Sequence, residues 1–213
     1  MKKERIITGS MLLVLTIFYT LMVRFYDYRA IGPLNSKVGF ANINEQFHNF
    51  IGVHMSLYKI TNYLGLILGL IAIIYVVIGL IELIKRKSLK KVDKEIYLMG
   101  AFYVIVILVF VLFEFLEINY RPILKDGALD ASFPSTHIFV TMCICLSSIL
   151  VNKKYFKPYK IINIAILVLM ITIMILRTIS GVHWFTDIIG GLFIGGTLSY
   201  MFYFAKSSLK KAK

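Results

Sequence analysis

A chain of 213 residues that is 59% hydrophobic and 16% charged, with mean hydropathy +0.80, is too apolar for a water-soluble domain of this size and reads as a polytopic membrane protein. The net charge of +13 would point to nucleic acid in a soluble protein. Here the Lys and Arg residues gather beside apolar runs, which makes them topological signals facing anionic lipid headgroups and excludes a nucleic-acid-binding role.

The chain opens with a basic stretch, Met1 to Arg5, followed by the apolar run 6–23. No small-residue cleavage site follows it, and the run exceeds a signal-peptide core, so it is expected to be the first membrane span, uncleaved. Residues 24–58 form the longest polar segment, containing Gly32-Pro33. Within it Val38, Phe40, Ile43, Phe47 and Phe50 recur at roughly helical spacing and predict a short amphipathic helix lying on the membrane interface. His48 and His54 fall here and are read as ordinary loop histidines.

A second span is predicted over 60–84, ending in a run that carries six basic residues in eleven (85–95). The third, 96–116, holds Glu114 near its far end and leads into the loop 117–133. The fourth reaches a spanning length only if Pro134 to His137 form its first turn, giving 134–151. It contains the two cysteines, Cys143 and Cys145, whose spacing supports neither a disulfide framework nor a thiolate metal site. After the basic, aromatic loop 152–160 come a fifth span, 161–176, a polar break from Arg177 to Asp187, a sixth span, 188–204, and a basic tail. Gly191 and Gly195 in the sixth span mark a close helix contact. Phe25, Tyr26, Tyr28, Tyr155, Phe156 and Tyr159 read as an interfacial aromatic belt. The expectation is therefore all-α: one domain, 1–213, built as a six-transmembrane-helix bundle with a short interfacial helix in the first outer loop.

Sidedness follows from charge. The N-terminus, the loops after spans two and four, and the tail hold 17 of the 24 Lys and Arg residues, all on one side of a six-span topology. By the positive-inside rule both termini are cytoplasmic. The loop 117–133, the start of span four and the break 177–187 then face outward, although they played no part in choosing the orientation.

Those three outward clusters carry the chemistry. They are Arg121-Pro122, Pro134-Ser135-Thr136-His137, and Arg177 with His183 and Asp187. Ionisable groups at the ends of apolar runs are functional by default. If His183 and Asp187 share one helical turn, their i, i+4 spacing places imidazole and carboxylate on the same face, with Arg177 as a planar fork for an anion. Two histidines, two arginines, a serine hydroxyl and the amides of a helix N-terminus make a site for a tetrahedral anion that can cleave a phosphate ester without metal. One histidine attacks phosphorus, the other protonates the leaving oxygen, and the arginines and amides hold the equatorial oxygens. Taken singly, Ser135, Thr136, Thr186 and Asp187 are also good helix caps, and Arg121 and Arg177 could be snorkelling anchors. The histidines are harder to explain that way.

This pattern resembles the type 2 phosphatidic acid phosphatases, the PAP2 superfamily of lipid phosphate phosphatases. Their signature is a lysine separated from Arg-Pro by six residues, then Pro-Ser-Gly-His, then Ser-Arg with five residues to His and three more to Asp. Arg121-Pro122, then Pro134, Ser135 and His137, then Arg177, His183 and Asp187 match it. The resemblance implies that His183 is a nucleophile forming a phosphohistidine, that Asp187 orients it and that His137 is the general acid. Arg121, Arg177, Ser135 and the amide of Thr136 would bind phosphate, with no cofactor and no metal. Three positions depart: Glu114 stands where the family has lysine, Thr136 replaces glycine and Leu176 replaces serine. A carboxylate at 114 would repel phosphate by about 1 to 4 kcal/mol at contact in watery surroundings. Either Lys125 supplies the missing cation, or Glu114 pairs with an arginine and holds it.

The expected function is hydrolysis of a lipid phosphate or diphosphate, such as undecaprenyl diphosphate or a glycerophospholipid phosphate, at the extracytoplasmic face, with membrane lipids as partners. Phosphotransfer between lipids would use the same groups. The alternative is a catalytically impaired relative acting as a lipid-binding, scrambling or partner subunit. A transporter is disfavoured because no paired inverted repeat is visible.

Overall fold

The structure, a computed structural model, describes residues 2–211. Among the described residues six helices are long and apolar enough to cross a membrane: α1 (Lys2–Phe25), α3 (Met55–Arg86), α4 (Lys94–Leu116), α5 (Thr136–Tyr155), α6 (Tyr159–Ile179) and α7 (Phe185–Lys211). With α2 (Ala41–Ile51) in the segment between α1 and α3, this is a multi-pass membrane protein with an all-α six-span bundle. The only strands among the described residues are β1 (Arg29–Ala30) and β2 (Lys37–Val38). They pair antiparallel with Arg29 opposite Val38 and form a small hairpin ahead of α2.

Burial identifies the centre of the bundle. Over their most apolar 18 residues, α5 is 56% buried and α7 44%, against 11 to 22% for the other four spans. The outer helices present Leu, Ile and Val to lipid, as a bilayer solvent requires. The inner pair can carry Ser, Thr, Asn and Gly, which explains why the apolar stretch of the fourth span reads as short in sequence. Close approach of α5 and α7 depends on glycine. A Cβ on Gly191 would sit 2.8 Å from the Ile138 Cβ and 3.0 Å from the Ser135 carbonyl, and one on Gly195 would sit 3.0 Å from the Phe139 Cα. This contact brings the start of α5, with His137, against the start of α7.

The spans begin and end differently from the sequence expectation. Helix α3 starts at Met55, inside the segment read as polar loop, because Tyr58, Thr61 and Asn62 fall on one face of it and find polar partners. Helix α5 begins at Thr136 rather than 134, with Pro134 and Ser135 leading into it. The apolar set expected to share one face of an interfacial helix does not do so. Val38 lies in β2 and is fully buried, whereas Ile43 and Phe50 on α2 are exposed. Helix α2 instead covers the start of α7 with Asn44, Phe47 and His48, spaced i, i+3 and i+4. Asn44 is fully buried, donating to Gly39 O (2.8 Å) and Thr186 Oγ1 (2.9 Å) and accepting from Thr186 N (3.1 Å). The Phe47 ring lies 4.9 Å from Phe185, and the His48 ring 5.3 Å from Trp184.

Candidate active site

His183 lies in the turn between α6 and α7, not on a helix. Gly181, with φ of +66°, makes that turn possible, and a Cβ there would collide with the Gly52 carbonyl. The turn is pinned on both sides: His54 N donates to Ser180 O at 2.9 Å, and Trp184 Nε1 donates to Tyr120 O at 2.6 Å. His183 is almost completely buried at the meeting point of the loop 117–133, α3, α6 and α7.

The protonation of the ring follows from its partners. Arg121 NH1 and Arg177 NH2 each approach Nε2 to 3.2 Å, and a guanidinium can only donate, so Nε2 carries the lone pair. Nδ1 therefore holds the proton and donates to Ser132 O at 3.1 Å. Burial, then the positive charges of Arg121 and Arg177, push the His183 pKa well below the usual histidine value, which keeps the ring neutral.

Asp187 departs from the geometry that its i, i+4 spacing suggested. Helix α7 starts only at Phe185, so the pair does not lie along one helical turn, and the closest approach of Asp187 Oδ2 to His183 Nδ1 is 3.6 Å. The single Nδ1 proton goes to the nearer Ser132 carbonyl. The carboxyl group is held by Trp184 N (3.0 Å) and Asn119 Nδ2 (3.3 Å), so it fixes the backbone just after His183 and ties it to the loop 117–133.

The arginines are anchored separately. Arg177, 1% exposed at the end of α6, donates through NH1 to Thr61 Oγ1 (3.1 Å) and Asn62 Oδ1 (3.3 Å) and sits 4.8 Å above the Tyr58 ring. Its Nε is buried without a partner. Arg121, in the loop after α4, donates from Nε to Asp130 Oδ2 at 2.7 Å, and Lys125 reaches the same oxygen at 3.3 Å. Glu114 pairs with neither arginine: it stands exposed near the C-terminal end of α4 with no ion pair or hydrogen bond among the described residues. The role expected of Glu114 as an arginine's partner is thus filled by Asp130. Lys125 lies half-exposed at the rim on the Asp130 carboxylate.

Ser135 occupies the N-cap position of α5, yet its hydroxyl makes no cap hydrogen bond and is buried without a partner, while its N–H donates to Asp187 O at 2.9 Å. Thr136 follows as the first residue of α5. His137, on the first turn, sits across the site against α3, where a Cβ on Gly65 would lie 3.4 Å from its Nε2, and within the field of Arg177 and Arg121. A neutral imidazole lone pair faced by two guanidinium groups, close to the N-terminus of α5, has the chemistry to receive a tetrahedral anion. No group of three His, Cys, Asp or Glu suited to a metal ion occurs among the described residues.

Sequence reasoning missed Asp130, Asn119, Asn44, Thr61, Asn62 and Ser132. Only Thr61 and Asn62 left a signal, a polar pair at the head of an apolar run.

Fold and site together define a membrane-embedded helical protein with a buried histidine–arginine cluster at one end of the bundle. Residues 98–209 match the model of the PAP2 superfamily, and the chain belongs to that family. Among solved structures it is similar to a transmembrane PAP2-type phosphatidylglycerolphosphate phosphatase from Bacillus subtilis, with a TM-score of 0.61 over 96% of this chain and 97% of that one at 20% identity. That likeness shows a transmembrane PAP2 fold. No curated protein matches the chain.

Proposed function

We propose that this protein is a lipid phosphatase that removes a terminal phosphate from a lipid phosphate or isoprenoid diphosphate at the extracytoplasmic face, without metal. The observation that carries this reading is the His183 ring, with its Nε2 lone pair faced by two guanidinium groups and its Nδ1 proton fixed on the Ser132 carbonyl. When phosphate binds, the arginines turn from Nε2 to the phosphate oxygens, joined by Ser135 Oγ, the Arg177 Nε–H and the amide of Thr136. Nε2 then attacks phosphorus in line, an N–P bond forms and the ester or anhydride P–O bond breaks. His137 donates a proton to the leaving oxygen. Water attacks the phosphohistidine with His137 as base, the N–P bond breaks, and inorganic phosphate leaves. These donors, once turned onto the phosphate, stabilise the developing charge and supply most of the rate. Asp187 holds the turn and stabilises positive charge on the His183 ring.

A glycerophospholipid phosphate, the class named for the Bacillus protein, and a prenyl diphosphate such as undecaprenyl diphosphate both suit a site at helix ends beside lipid. The outward placement of the site and the cytoplasmic termini rest on the distribution of Lys and Arg.

One observation favours a second reading. Glu114 puts an unpaired carboxylate beside the site where the family has lysine, which suits a catalytically impaired protein that binds lipid or a partner subunit. Purified protein assayed with EDTA against a panel of lipid phosphates and diphosphates separates the two. Phosphate release supports the phosphatase, and folded protein without turnover on any of them supports the second reading.

A further inference from the structure

Arg177 projects from a helix, but Arg121 projects from a loop, and a long side chain on a loop has no rigid element to hold its fork. What holds it is Asp130. The Asp130 carboxylate takes the Arg121 Nε–H at 2.7 Å, and the Asp130 carbonyl takes the Arg121 backbone N–H at 3.0 Å, next to the bridge between Tyr120 and Ala131. Both the side chain and the main chain of Asp130 thus address Arg121. The Arg121 side chain is 12% exposed and that of Asp130 28%, so the pair sits at the mouth of the site, partly shielded from water. With Nε fixed, NH1 reaches His183 Nε2 at 3.2 Å. The chain therefore uses a charged anchor for the loop-borne arginine and neutral anchors, Thr61 and Asn62, for the helix-borne one.

We propose that Asp130 is the positioning residue of the phosphate site: it fixes the Arg121 guanidinium at Nε so that the group pivots from His183 Nε2 onto the phosphate without leaving its anchor. The proposal rests on the phosphatase reading above. It assigns to Asp130 a role in the transition state rather than in ground-state binding, because the fork must meet the oxygens as they become equatorial.

The test compares full-length wild type, Asp130→Asn and Asp130→Glu in detergent, measuring kcat and KM on a lipid phosphate, inhibition by orthovanadate and the thermal midpoint. Asp130→Asn is isosteric and keeps the backbone contact. It is expected to lower kcat about 10- to 100-fold with KM changed less than about threefold. Vanadate inhibition weakens about tenfold, and Asp130→Glu recovers most of both losses. Asp130→Asn with wild-type kcat and vanadate inhibition overturns the proposal, as does a folded Asp130→Glu no better than Asp130→Asn. Should Asp130→Asn not purify folded, Asp130→Ala with added formate takes its place: formate raises kcat about tenfold or more if a carboxylate is all that is missing, and no response overturns the proposal. Wild type that neither turns over nor binds vanadate sinks the phosphatase reading itself, whereas an active wild type with an indifferent Asp130 sinks only the positioning role.

Discussion

At the scale of single residues, the chemistry follows from which atom of His183 holds the proton. Two guanidinium groups on Nε2 and a carbonyl on Nδ1 permit only one neutral tautomer. Burial and the two arginines depress its pKa, so the lone pair is lost only when pH falls through that depressed value, not through the ordinary histidine range. Nitrogen-15 NMR of histidine-labelled protein is therefore expected to show His183 neutral and protonated at Nδ1 at about pH 5.5, where an unperturbed histidine is mostly cationic. An imidazolium signal for His183 at that pH would contradict the assignment. Residues of this kind were legible in the sequence because ionisable groups at the ends of apolar runs stand out. Asp130, Asn119 and Asn44 were not, since their work is done through hydrogen bonds between segments far apart in the chain, and a loop carboxylate or amide looks like any solvated residue.

At the scale of elements, the site depends on α5 and α7 meeting closely enough for the turn before one to touch the cap of the other. The Gly191 and Gly195 step announced this contact in the sequence, and the structure shows Ile138, Phe139 and the Ser135 carbonyl filling the space that side chains there would need. Gly191→Val is expected to destabilise the protein by about 1 to 3 kcal/mol through overpacking, read as a lower thermal midpoint in detergent. Activity should fall with it, because the clash falls on Ser135. An unchanged midpoint would mean that the helices are not packed as described. Helix ends were less legible than helix faces. Nothing in the apolar periodicity marks the extra N-terminal turn of α3 that brings Tyr58 to Arg177, and nothing local shows that α7 begins after His183 rather than before it.

At the scale of the whole molecule, the four segments rich in Lys and Arg adjoin one set of helix ends and the histidine site the other. Ion pairs tie the former end together: Lys206 of α7 lies 3.4 Å from Glu95 of α4, and Lys154 of α5 pairs with Asp93. The six-span reading of the sequence needed only span length and charge, the two signals that bilayer thickness and membrane potential impose on any chain. Cys143 and Cys145 are fully buried, which leaves a clean background for thiol labelling. A membrane-impermeant maleimide applied to intact cells is expected to label Asp126→Cys, and to label Lys90→Cys only after lysis. The reverse pattern would turn the site inward.

The central claim is that His183 becomes covalently phosphorylated. Rapid quenching of the EDTA-treated enzyme with a lipid phosphate carrying phosphorus-32 in its terminal group measures this directly. The account predicts acid-labile label on the wild-type protein, none on His183→Ala, and turnover of that variant lower by at least about 1000-fold. A His183→Ala protein that still takes up label, or still releases phosphate at the wild-type rate, would contradict it.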